Sequence, residues 1–162
     1  AFVFSAVLPG AYSVTVEGLP SEAYIADIRY GGESLHSTAH NLNGPELEAG
    51  IAGTPLQIVV ATNGGRLDGV VDGGEAAAGS TVVLVPALSR RFVPSDYRAT
   101  TVGPSGSFSL KGVPPGVYQL FAWQDVPDTA WLNPDFMSHW EGRGQVVSIE
   151  AGSAVTVRTR LN

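Results

Sequence analysis

The chain has 162 residues, 44% of them apolar, with 15 acidic against 9 basic side chains and a net charge of −6, a balance that provides for a globular core and excludes a disordered chain. That charge, with no basic stripe interleaved with aromatics, argues against a nucleic-acid partner. Its 20 glycines and 11 prolines against one methionine point to short strands and tight turns, and the lack of cysteine excludes a disulfide-stapled scaffold without excluding export.

The length accommodates one sandwich of about 100 residues and a remainder, so two units are expected, residues 1–64 and 65–162. The chain opens inside a strand pattern, Phe2-Val3-Phe4, then crosses Pro9-Gly10 into Tyr12, Val14 and Val16, which alternate with Ser13, Thr15 and Glu17. This reads as a hairpin in a piece of a longer protein, its edge pairing with a segment before Ala1. Neither a leader pattern nor an apolar run approaching the roughly 20 residues of a membrane span is present. Tyr24, Ala26, Ile28 and Tyr30 alternate with Ile25, Asp27 and Arg29 as a second strand. Residues 33–54 are mixed, with weak strands expected near Leu42 and Leu47, and Pro55 to Val60 is a clear strand. The first unit thus reads as a partial sandwich of four or five strands. His36 and His40 stand four apart, a metal-ligand spacing on a helix, yet Gly31-Gly32 and Asn41 argue for a loop, and a solvent-exposed pair is the reading.

Thr62-Asn63-Gly64-Gly65 is too short to separate two units, which should touch. Beyond it seven strands are expected: Arg66 to Val71, Ser80 to Pro86, Tyr97 to Val102, Ser107 to Lys111, Gly116 to Trp123, Gly144 to Glu150 and Ala154 to Leu161. The run Gly112-Val113-Pro114-Pro115-Gly116-Val117-Tyr118 repeats the opening of the chain at a shift of about 106 positions, Tyr118 matching Tyr12. Tyr118 should point inward with its hydroxyl on the backbone, as in the tyrosine corner of immunoglobulin-like domains.

Residues 106–123, Gly-Ser-Phe-Ser-Leu-Lys-Gly-Val-Pro-Pro-Gly-Val-Tyr-Gln-Leu-Phe-Ala-Trp, resemble the G-x-F-x-[IL]-x-x-[VL]-P-P-G-x-Y pattern of carboxypeptidase regulatory-like domains, as Leu67 to Asp72 and Gly79 to Val85 resemble that family's first two strands. The resemblance covers about residues 65–161. It implies a prealbumin-like, immunoglobulin-like β-sandwich serving as an accessory module in an exported bacterial multidomain protein, extracellular or in the cell envelope. The family's usual Thr-Asp before the Gly-x-Phe strand reads Val102-Gly103 here.

The outward side of the repeated strand differs between copies: Ser13, Thr15 and Glu17 in one, Gln119, Phe121 and Trp123 in the other. Something must cover those aromatics. The insertion from Gln124 to Arg143 carries Trp131, Phe136, Met137 and Trp140, and Asn133-Pro134-Asp135 has helix-start chemistry, so a short helix is expected over Pro134 to His139. Either this loop folds over the sheet, or Trp123, Trp131 and Trp140 stay open as a stacking platform for sugar rings with Asp128, Asp135 and Glu141 bonding hydroxyls. Asp125, Asp128 and Asp135 lack the spacing of a dedicated Ca²⁺ loop. Arg90, Arg91, Asp96 and Arg98 read as a solvated loop tip, with the docking of an acidic partner as the alternative. His139 lies near Glu141, but no serine is marked as activated and no nucleophile elbow, zinc motif or phosphate loop occurs. The expectation is therefore a non-enzymatic accessory or spacer module without cofactor or metal, its partners being neighbouring domains, glycans or cell-surface proteins. A carbohydrate-binding module using residues 123–141 is the alternative.

Overall fold

The structure, a computed structural model, describes residues 2–36, 46–50 and 53–162. Its strands are β1 (Gly10–Ser13), β2 (Tyr24–Tyr30), β3 (Glu33–Ser34), β4 (Glu46–Ala49), β5 (Leu56–Ala61), β6 (Gly65–Val71), β7 (Thr81–Pro86), β8 (Arg98–Thr101), β9 (Ser107–Val113), β10 (Gly116–Trp123), β11 (Gln145–Ile149) and β12 (Ala154–Thr159). One short helix, α1 (Pro134–Ser138), and four 3-10 turns complete the described elements. The chain is all-β.

From Gly65 on, seven strands form where alternation and turn glycines place them. They make a four-stranded sheet ordered β11-β10-β7-β8 and a three-stranded sheet ordered β12-β6-β9, with β12 parallel to β6 and every other pair antiparallel. Strand periodicity sends alternate side chains to opposite faces. Leu67 and Val71 from β6, Phe108 and Leu110 from β9, Val82 and Leu84 from β7, and Tyr118, Leu120 and Ala122 from β10 meet in one core. β12 contributes more thinly, with Val155 and Val157 only partly buried against that core.

The N-terminal part is smaller. β1 pairs with β4, and β2 lies between β3 and β5. Ile25, Ile28 and Leu35 are its buried centre, flanked by partly buried Val14, Val16, Leu19, Leu47 and Leu56.

Two expectations are corrected here. Phe2 to Phe4 is not a strand, β1 ends at Ser13, and no hairpin joins them. The better-formed copy shows why: β9 and β10 flank the Pro-Pro-Gly turn but lie in different sheets. The two prolines remove the N–H groups that a hairpin ladder would use, so the turn carries the chain across the core. Second, the alternation through β2 breaks at a bulge, because Ile25 faces Val60 while Asp27 faces Val59. Ala26 is the extra residue, and the shift lets Ile25 and Ile28 both turn inward. The strand expected near Leu42 lies outside the described residues, and the one expected near Leu47 forms as β4.

Candidate functional site

The Pro-Pro-Gly turn leaves a row of carbonyls at the end of the two sheets, and buried carbonyls need donors. Tyr118 supplies one: it is 1% exposed, and its hydroxyl donates to the Pro114 carbonyl at 2.7 Å. Burial pushes that hydroxyl up to about 12. Arg98 donates from Nε at 3.1 Å and Nη2 at 2.5 Å to the Gly112 carbonyl, and from Nη1 to the carbonyls of Ser95 and Tyr97. Arg90 donates from Nη1 to the Pro115 carbonyl at 3.0 Å and from Nε to Asp96 at 2.7 Å. Asp96 is 1% exposed, and burial raises its pKa against the opposing pull of Arg90. Arg90, Asp96 and Arg98 are therefore a brace for the turn and not a solvated tip. Sequence reasoning grouped these residues but missed that Asp96 is buried, brought within reach of Arg90 by a 3-10 turn over Pro94–Asp96.

The outward face of the four-stranded sheet is covered. Phe121 and Trp123 stack at 5.0 Å with their planes 5° apart, and Phe136 and Trp140 meet the Trp123 ring at 5.7 and 5.6 Å, nearly perpendicular. Val83, Val85, Tyr97, Trp131 and Met137 complete this second core. The helix that closes it starts as its sequence directs: the Asn133 side-chain oxygen accepts from the Asp135 N–H at 2.8 Å, and Pro134 occupies the first turn. Arg91 ties the insertion to the turn region through a two-point pair with Glu141, at 3.0 and 3.4 Å.

This arrangement places the six residues considered for glycan contact in three settings. Trp123 and Trp131 are 3% and 8% exposed and present no ring face to solvent. Trp140 is half-buried, with the Arg143 guanidinium 5.7 Å from its ring centre. Asp128, Asp135 and Glu141 are exposed, Glu141 being engaged by Arg91. His139 is exposed and its Nδ1 lies 2.8 Å from the Asp135 carbonyl. Gln119 Oε1 and Trp123 Nε1 are buried without a hydrogen-bond partner among the described residues.

The two parts of the chain meet at a tight seam. The Gly64 N–H donates to the Glu22 carbonyl at 3.1 Å, and the Gly152 N–H to the Asn63 carbonyl at 2.7 Å. A side chain at Gly112 would begin 2.6 Å from the Ser21 carbonyl oxygen and 2.8 Å from that of Ala23. Across the same seam Lys111 pairs with Glu22 at 3.5 Å. His36, whose pKa burial lowers, lies in the field of Asp96 and Arg90. The reading of His36 and His40 as a solvent-exposed pair is corrected for His36, which is half-buried, while His40 falls outside the described residues. No group of three or more metal-ligating side chains occurs among the described residues, and none of their helices is long and apolar enough to cross a membrane.

No protein-family model matches the chain, and no curated protein matches its sequence.

Proposed function

We propose that the chain is a non-enzymatic accessory module of an exported bacterial multidomain protein, outside the cell or in its envelope, that holds neighbouring domains at a set spacing. Residues 65–162 form a seven-stranded β-sandwich of the carboxypeptidase regulatory-like kind, and residues 1–64 a partial one. The seam carries this reading: both polar groups of the Asn63–Gly64 peptide are engaged, its N–H donating to Glu22 and its carbonyl accepting from Gly152, and with Gly112 packed against the 21–23 turn this leaves the joint no flexible linker. The closed aromatic layer points the same way, since its rings pack on one another and Trp123 and Trp131 are buried. With no native cysteine to interfere, spin labels at Glu33→Cys and Asp128→Cys, both exposed positions, report the joint directly. Pulsed dipolar spectroscopy should return one narrow distance distribution, and a broad or multimodal one would overturn the spacer role.

A further inference from the structure

Exposed apolar side chains concentrate in the N-terminal part. Phe2, Phe4 and Tyr12 are 55%, 71% and 40% exposed, and with Tyr30, Leu47 and Leu56 they line a groove of about 970 Å³. An open apolar surface of this kind marks an interaction site.

Two observations define what fits it. The internal repeat pairs Phe2 and Phe4 with Phe108 and Leu110, which are only 6% and 3% exposed because β9 lies against β6 over the core. In the same way β1 matches β10. Strand β10 is flanked by β11 and β7, whereas β1 is bonded to β4 alone among the described strands. By this correspondence the place that β7 takes beside β10 is unfilled beside β1 among the described strands, and the groove runs along β1 at Tyr12 and Ser13. The second observation is charge. Residues 1–64 carry six carboxylates (Glu17, Glu22, Asp27, Glu33, Glu46, Glu48) against one guanidinium, Arg29, a net −5 of the chain's −6. Arg29 is engaged by Asp27 at 2.6 Å, and Glu48 lines the continuation of the groove between Pro9 and Thr54.

We propose that this groove takes up an extended strand of a partner polypeptide, apolar at every second position and bearing lysine or arginine beside them, paired to β1 on the side that β7 takes against β10. Main-chain hydrogen bonds supply affinity in such strand addition, and the alternate side chains supply selectivity. Glu48 at the groove and the net negative charge of residues 1–64 favour a basic strand and disfavour both an anionic lipid surface and a second copy carrying the same charge. This inference concerns the open face of the N-terminal part and does not rest on the rigid seam.

The test uses the whole chain and a fluorescein-labelled peptide, Lys-Lys-Val-Thr-Val-Thr-Val-Lys, followed by anisotropy. Saturable binding is expected. It should weaken at least tenfold with glutamate in place of the peptide's lysines, with Glu48→Lys or Phe4→Asp in the protein, and with N-methylation of alternate peptide amides. Because Phe4→Asp alters an apolar side chain, Glu48→Lys, at an exposed position, serves as the variant least exposed to a folding defect. Absence of saturable binding, equal affinity for the lysine and glutamate peptides, or indifference to N-methylation would each overturn the proposal. So would a stable dimer in sedimentation that Phe4→Asp dissolves, or capture on phosphatidylcholine vesicles that the peptide does not displace; these outcomes would assign the groove to a second copy or to lipid.

Discussion

The repeated tyrosine provides its own internal control. In both copies the hydroxyl donates to the carbonyl four residues earlier, Tyr118 to Pro114 at 2.7 Å and Tyr12 to Leu8 at 2.9 Å. The bonds match but the surroundings do not: Tyr118 is 1% exposed and Tyr12 40%. Tyr118→Phe leaves the buried Pro114 carbonyl with no donor and no access to water, a loss of about 1 to 3 kcal/mol. Tyr12→Phe exposes its carbonyl to solvent that replaces the lost donor, so the change should stay within about 0.5 kcal/mol. Tyr118→Ala adds the removal of a ring from the core and should cost about 3 to 5 kcal/mol. Urea unfolding of the full chain, followed by far-ultraviolet circular dichroism, measures all three. Equal losses for the two phenylalanine variants would refute the claim that burial, and not the bond itself, sets the energy. A loss below about 0.5 kcal/mol for Tyr118→Phe would do the same.

Alkaline stability follows from the same group. Burial pushes Tyr118 and Tyr97 up to about 12 from an ordinary 10.0, so the unfolded chain loses these protons first; stability should be intact below about pH 10 and fall by about 1.4 kcal/mol per pH unit for each tyrosine up to about 12. Urea midpoints between pH 9 and 11.5 should decline less steeply in Tyr118→Phe, and an unchanged slope would contradict the assignment. Gly112→Ala places a side chain against the Ser21 carbonyl at a φ of +60°, a backbone conformation that alone costs about 1 to 3 kcal/mol. Faster proteolysis within residues 62–64 should accompany that loss, and unaltered cleavage would show that the seam tolerates opening. Glu141→Gln weakens the Arg91 pair, and because Glu141 is 44% exposed the expected loss is below about 1 kcal/mol and smaller still in high salt. A loss above about 2 kcal/mol would mean that this pair, and not the aromatic layer, holds the 124–143 insertion down.

Most strands of residues 65–159 were legible from local rules, apolar side chains at every second position as in β6 and β9 or a continuous apolar run as in β7, with turn glycines and prolines between them. So was α1, whose Asn-Pro-Asp start needs nothing distant. The aromatic contrast between Thr15 and Phe121 correctly marked a face in need of cover. The role of Arg90 and Arg98 was not legible, because their acceptors are main-chain carbonyls, and a carbonyl has no identity in a sequence. Arg98 reaches Gly112 and Arg90 reaches Pro115, separations that no periodicity encodes. The bulge at Ala26 was equally hidden: a strand read in strict alternation assigns Ile25 and Ile28 to opposite faces, and only the demand of a small core for both reveals the extra residue. The sheet change at Pro114-Pro115 was misread for a related reason, since a turn signal states that the chain reverses without stating which sheet receives it.

The two copies of the motif separate what a local sequence dictates from what the fold adds. Gly10 and Gly116 have φ values of 157° and 158°, each tyrosine bonds the same relative carbonyl, and each following strand pairs antiparallel with a later one, Gly10 opposite Ala49 and Gly116 opposite Ile149. None of this required a shared environment, because it holds at a surface position and in a core alike. What differs is the cover. β6 and β7 bury Phe108, Leu110 and Tyr118, while their counterparts Phe2, Phe4 and Tyr12 stand open. A turn motif therefore specifies a corner and its exit strand, but the neighbouring strands decide whether that corner becomes a core or an accessible groove. In this chain the open copy also carries nearly all of the net negative charge. The part that lacks cover is thus the part equipped to select a basic strand.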